Sequence, residues 1–144
     1  MTFGAWMTSL VIDSSALLAI VLGEVDADLY IAAITYSLES NADIYVPASV
    51  LVEAGIAAEQ RGVGEKLDDL LEKIQPEIVP IDRVIAGLAR RAFQKYGRGR
   101  RPAKLNFGDC MSYAAARSLR VPLLFKGEGF TQTDIQSALS GHRN

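Results

Sequence analysis

Short β-branched runs alternate with longer stretches of helical spacing along most of this chain. Leu10-Val11-Ile12 is apolar and β-branched, the pattern of a short buried strand. Asp13-Ser14-Ser15 follows at once with capping side chains for a helix that Ala16 to Leu22 continues. Leu29, Ile31, Ala33, Ile34 and Leu38 give Asp26 to Leu38 helical spacing, Asn41 interrupts it, and Ile44-Tyr45-Val46 predicts a second strand. Pro47 opens a helix over about Ala48 to Gln60. Gly62 and Gly64 separate that helix from an amphipathic one over Glu65 to Ile74, marked by Leu67, Leu70 and Leu71.

A third strand is expected over Ile78 to Ile81, and Asp82 can cap a helix through Val84 to Tyr96. The glycine- and arginine-rich residues 97–102 must form a loop, after which a helix begins near Gly108 and carries Asp109 in its first turn. Val121 to Phe125 reads as the fourth strand. Gly127 and Gly129 turn the chain before a short terminal element around Asp134 to Leu139. Strands alternating with helices predict an α/β fold in which a central parallel sheet is covered on both faces, a three-layer α/β/α arrangement. Ligands in such sheets bind beyond the C-terminal strand ends, where Asp13 falls.

With 144 residues and 49% hydrophobic content, the chain fits one domain, expected over residues 9–144 behind a leader of residues 1–8. Met7 within that leader offers an alternative start to Met1. The net charge of −2 leaves nucleic-acid binding open, because local basic patches coexist with an acidic total. Cys110 is the only cysteine, which excludes an intramolecular disulfide and paired-thiolate zinc sites, and fits a reducing, cytoplasmic compartment. His142, the only histidine, lies in a polar tail, so histidine-based triads and metal sites lack material. No apolar run approaches the roughly 18 residues of a membrane span. The chemistry left is carboxylate chemistry.

Asp13, Glu53 and Asp109 each stand in an apolar stretch where a solvated charge is not expected: SLVIDSSALLAIVL, PASVLVEAGIAA and LNFGDCMSYAAA. Singly, Asp13 reads as a helix N-cap and Asp109 as a first-turn acid behind an Asn106 cap. Glu53 is harder to assign to a plain helix edge, since its helical neighbours Ser49, Val50, Ile56 and Ala57 belong mainly to the inward face. Two unpaired carboxylates about 4 Å apart repel by roughly 4 kcal/mol at an effective dielectric of 20, so a converging set needs a cation. Hard Mg²⁺ or Mn²⁺ suits oxygen ligands.

VIDSSALLAIVLGE around Asp13, YVPASVLVEAG around Glu53, LNFGDCMSYAAA around Asp109 and the closing VPLLFKGEGFTQTDI resemble, in order and spacing, the PIN-domain nucleases, and more narrowly the VapC-type ribonuclease toxins of toxin–antitoxin modules. The resemblance implies a PIN-like sheet and an acidic pocket holding one or two Mg²⁺ or Mn²⁺ ions that cleave RNA. Asp13, Glu53 and Asp109 match the family's first three acids. Where many members carry an aspartate just after the fourth strand, this chain offers Gly127, leaving Glu128 or Asp134 as the fourth. On that reading the metal on Asp13 and Asp109 activates a water, Glu53 completes the shell, and Ser14 and Thr131 are outer donors. The implied partners are a cognate antitoxin and a second copy, as a homodimer, heterotetramer or larger assembly.

Lys95, Arg98, Arg100, Arg101 and Lys104 concentrate positive charge just before the Asp109 helix, suited either to RNA phosphates or to a plain solvated loop. Tyr96 beside them could stack on a base. Ala27 to Leu38 and Ile56 to Leu71 hold more apolar residues than one helix face needs, which core packing or a partner surface would explain. Two other readings compete. A catalytically weak RNA-binding module of the same fold needs no complete acid set. A haloacid-dehalogenase-type phosphatase would also place Asp after strand one, but its second acid two residues on is Ser15 here.

Overall fold

The computed structural model describes residues 9–99 and 103–139. In chain order the elements are β1 (Leu10–Ile12), α1 (Ser14–Val21), α2 (Ala27–Glu39), β2 (Ile44–Pro47), α3 (Ala48–Gln60), α4 (Gly64–Ile74), β3 (Glu77–Val79), α5 (Arg83–Tyr96), α6 (Phe107–Leu119) and β4 (Leu123–Leu124). The sheet is wholly parallel with order β3-β2-β1-β4. The strand order therefore reverses between β1 and β4, and the crevice beyond their C-terminal ends is where such a sheet binds ligands.

Alternation along β1 sorts the core into two faces. Leu10 and Ile12 pack with Ala16, Leu17, Tyr30, Val50, Ala54 and Leu67 of α1 to α4, whereas Val11 packs with Ile85, Ala89, Tyr113, Ala114 and Leu123 on the α5–α6 side. Helices thus cover both faces of a three-layer sandwich. Alanines at 114, 115 and 116 are fully buried, which lets α6 lie close to the sheet and to α5.

The sequence pattern overstates two strands. β3 stops at Val79 instead of Ile81 because it is a sheet edge and Pro80 has no N–H to donate, leaving Ile78 and Ile81 exposed. β4 has two residues instead of five. The expected terminal element is irregular: Leu123 N–H donates to the Gln136 carbonyl at 2.9 Å and Ala138 N–H to the Leu123 carbonyl at 2.9 Å, so this segment covers the β4 edge. The leader at 1–8 lies outside the described residues, as do Arg100 and Arg101 of the basic loop. No helix among the described residues is long and apolar enough to cross a membrane.

Candidate active site

Asp13 leaves the C-terminal end of β1 and caps α1 with an extended backbone, φ −82° and ψ 158°. The residue is only 3% exposed. Its Oδ2 accepts from Ser15 N–H at 3.1 Å and from Ser15 Oγ at 2.6 Å, and its Oδ1 accepts from Ser112 Oγ at 2.5 Å. Burying an ionised carboxylate demands such donors. Ser15 Oγ in turn accepts from Lys126 N–H at 2.9 Å, tying the residue after β4 to the mouth of α1.

Asp109 is the third residue of α6 and closes a capping box: Asp109 N–H donates to Asn106 Oδ1 at 2.8 Å, and Asp109 Oδ2 accepts from Asn106 N–H at 3.0 Å. Capping and membership of the acidic pocket are compatible, because Oδ1 is left without a protein donor among the described residues. Glu53, in the second turn of α3, accepts from Ser14 Oγ at 2.9 Å through Oε1.

Electrostatics joins the three. Burial, and then repulsion by Asp13 and Asp109, pushes the Glu53 carboxyl above its usual range against the opposing Ser14 hydrogen bond. Asp109 is likewise raised by burial and by Asp13, opposed by the Asn106 N–H. Glu53 as a residue is exposed, yet its carboxylate end lies inside the cleft against Gly108, and that end governs its titration. The N-termini of α1 and α6 both meet this cluster, and their positive ends partly offset its charge.

Among the described residues no group of three His, Cys, Asp or Glu side chains stands at direct ligand spacing. The acids repel one another without closing on a single point, and each keeps lone pairs free on Asp13 Oδ1, Asp109 Oδ1 and Glu53 Oε2. One turn before Glu53, Ser49 Oγ is buried and without a partner among the described residues. An all-oxygen donor set of this kind fits a hard cation that retains several waters.

The remaining expected site residues fall elsewhere. Asp134 is engaged by other side chains: Tyr113 OH donates to its Oδ1 and Arg117 pairs with its Oδ2 at 3.7 Å. Burial opposes ionisation there, but Tyr113 and Arg117 outweigh it and hold the carboxyl below its usual range. Glu128 is exposed beside a cleft of about 510 Å³ shared with Asp26, Tyr30 and Thr131, not with Asp13. Thr131 Oγ1 donates to the Glu128 carbonyl at 2.8 Å and to its Oε2 at 3.2 Å. Ser14 Oγ, by contrast, donates to Glu53 itself.

Arg98 and Lys104 are exposed on a loop closed by Arg98 N–H to the Leu105 carbonyl at 2.9 Å and Leu105 N–H to the Tyr96 carbonyl at 2.6 Å. Tyr96 is buried at 9% exposure against Tyr113 and cannot serve as an open stacking platform, a correction near that loop. Lys126 is held by Glu24 at 2.7 Å and Asp26 at 3.0 Å, which raise its pKa and occupy its charge. Burial and Asp109 push the Cys110 thiol up to about 11, so it is a protonated core residue and no nucleophile near neutral pH. The sequence reading missed Ser15 and Ser112. Ser112 carried a signal, lying three residues after Asp109 and so on the same helix face.

Of the apolar surplus in the helices, Leu29, Ile31, Leu38 and Ile56 are exposed, while Leu67 is buried in the core.

The PIN domain family model matches residues 10–136, spanning β1 to the segment on the β4 edge. This chain belongs to the PIN domain family. The PIN domain is 39% identical over 135 residues to Ribonuclease VapC28 of Mycobacterium tuberculosis, covering 90% of this chain and 98% of that protein. It is 40% identical over 132 residues to Ribonuclease VapC of Mycolicibacterium smegmatis, covering 88% and 97%. Among solved structures it resembles VapBC2 from Rickettsia felis bound to a promoter DNA fragment, with a TM-score of 0.69, 12% identity and coverage of 90% and 96%. A toxin–antitoxin complex from Klebsiella pneumoniae matches with a TM-score of 0.64, 18% identity and coverage of 87% and 92%. These two likenesses establish that the PIN domain has the same fold.

Proposed function

We propose that this PIN domain is a divalent-metal-dependent endoribonuclease and the toxin half of a toxin–antitoxin pair. The observation that carries the reading is that hydrogen bonds of Ser14 to Glu53 and of Ser112 to Asp13 link the elements bearing Asp13, Glu53 and Asp109, in a chain about 40% identical to ribonucleases over most of its length. Asp13, Glu53 and Asp109 would hold Mg²⁺ or Mn²⁺. Such an ion supplies an acidified water as nucleophile and neutralises charge developing on the phosphoryl oxygens.

The chain's own groups prepare that chemistry. Ser15 and Ser112 orient the Asp13 carboxylate, Asn106 holds Asp109, and Ser14 holds Glu53. The exposed cations Arg98 and Lys104, with Arg100 and Arg101 of the same loop, would bind RNA phosphates. Glu128 and Asp134 are not required in this scheme.

The partners are RNA as substrate, a cognate antitoxin, and a second copy of this chain, assembled as a homodimer, a heterotetramer or a larger complex. The toxin–antitoxin complexes among the structural neighbours and the exposed apolar residues of α2 and α3 support this. A cytoplasmic site of action fits the single, reduced cysteine. The engagement of Asp134 by Tyr113 and of Glu128 by Thr131 favours one second reading, a catalytically weak RNA-binding module of the same fold.

RNA cleavage by the purified full chain decides between them. Cleavage with Mg²⁺ or Mn²⁺ that stops with EDTA and falls by at least about 10²-fold in Asp13→Asn, the scale of losing a key transition-state group, supports the nuclease. Binding without cleavage selects the second reading, and cleavage that survives Asp13→Asn removes the proposed site.

A further inference from the structure

Ser112 is fully buried, at 0% exposure, in an alanine-rich turn of α6 one helical turn after Asp109. An alanine there would pack as Ala114, Ala115 and Ala116 do, with higher helix propensity and no polar atom to satisfy. What the hydroxyl adds is one bond, to Asp13 Oδ1 at 2.5 Å, across 99 residues of sequence.

The two serines that grip Asp13 do different things. Ser15 belongs to the helix that Asp13 itself caps, so its bonds to Oδ2 fix the carboxylate relative to α1 alone. Ser112 rides on the helix that carries Asp109, so its bond to Oδ1 fixes Asp13 relative to the second acid. With Oδ2 taken by two donors from Ser15 and one lone pair of Oδ1 taken by Ser112, one lone pair of Oδ1 is the direction left open. Asp109, through its own Asn106 bond, keeps Oδ1 open on its side.

We propose that Ser112 is the positioning residue that sets Asp13 against Asp109 and restricts Asp13 to a single oxygen for a divalent cation. This rests on the metal-dependent reading above. Removing the hydroxyl frees the Asp13 carboxylate to rotate about its side-chain bonds, takes away one donor that stabilises its charge, and uncouples its placement from α6. The fold loses one hydrogen bond; the cation loses a preset pair of oxygens.

The test is Mn²⁺ binding to the full chain by electron paramagnetic resonance, with a thermal melt in the absence of ion to check folding. Ser112→Ala should melt cooperatively and bind Mn²⁺ about tenfold or more weakly, the scale on which removal of an outer partner acts at metal sites. Ser112→Cys, near in size but a weak donor, should also bind weakly and serves if the alanine variant does not fold. A folded Ala or Cys variant that binds Mn²⁺ within about twofold of wild type overturns the proposal. Asp13→Asn separates the two failures. If it loses Mn²⁺ while Ser112→Ala does not, only the part given to Ser112 falls; if it binds like wild type, the metal reading falls with it.

Discussion

A side-chain carbon at Gly108 would fall 2.7 Å from Glu53 Oε2 and 2.8 Å from Oε1, closer than real Cβ atoms come. The first turn of α6 and the Glu53 carboxylate occupy adjoining space that only glycine leaves open. This is the contact through which α3 delivers its acid to the helix carrying Asp109.

Gly108→Ala should therefore expel the Glu53 carboxylate, the mobile end of a flexible side chain, and leave the fold intact. Alanine is favoured over glycine in a helix by up to about 1 kcal/mol, so the melting temperature should hold or rise. RNA cleavage should fall by about tenfold or more, as for loss of a group that completes the site. Wild-type cleavage by a folded Gly108→Ala protein would show that Glu53 is not needed where it stands.

Glu53 and Asp109 also give the metal-free protein a defined pH response. Their folded-state pKa values are raised, so the fold favours their protonated forms; that contribution is present below the unfolded pKa and lost as pH rises through the folded one. Glu53→Gln, which removes one charge, should be more stable than wild type near pH 7 without metal. The difference should vanish as pH falls below the ordinary glutamate value of 4.5. Melting curves in EDTA from pH 4 to 8 measure it, and a gap that does not change with pH would contradict the repulsion.

Asp134 should behave as a structural acid. Tyr113→Phe removes its hydrogen bond and should destabilise the protein by about 1 kcal/mol, the usual net value of such a bond. Cleavage by the folded fraction should be unchanged in Tyr113→Phe and in Asp134→Asn. A loss of cleavage in Asp134→Asn that exceeds its loss of folded protein would return Asp134 to the site.

The exposed cations of the loop before α6 predict a salt effect. Replacing Arg98 and Lys104 together by alanine should weaken RNA binding and lower the slope of log K against log salt by about 0.7 per lost phosphate contact on single strands. Filter retention between about 50 and 200 mM salt, the range over which such contacts show, reads the slope directly. An unchanged slope assigns these two side chains to solvent.

The layer order and the three principal acids were legible because they rest on local rules. β-branched runs, helical spacing and capping residues act within a few positions, so β1, α3, α5 and the Asn106–Asp109 cap follow from the chain itself. Glu53 stood out by its apolar helical neighbours, yet the residue and its neighbour Ile56 are exposed, and only the carboxylate end turns in against Gly108. Strand ends were less legible: whether Ile81 continues a strand depends on edge position and on Pro80, which only the neighbouring strand turns into a boundary.

The fourth acid shows the limit most plainly. Sequence put Glu128, close behind β4, first as the fourth acid and kept Asp134, further on in the TDI stretch, as its alternative. Tyr113 and Arg117 claim Asp134 by contacts that no local pattern encodes, while Thr131 engages Glu128 within a single turn. Sequence alone determined the order of the elements, the absence of histidine and thiolate chemistry, and the three buried-context carboxylates, because propensity and composition are properties of the chain. Only the tertiary structure decided that Ser112 reaches Asp13, that Gly108 makes room for Glu53, and that Tyr113 holds Asp134. Each of those outcomes depends on distances between residues far apart in the chain, and distances of that kind are fixed by packing.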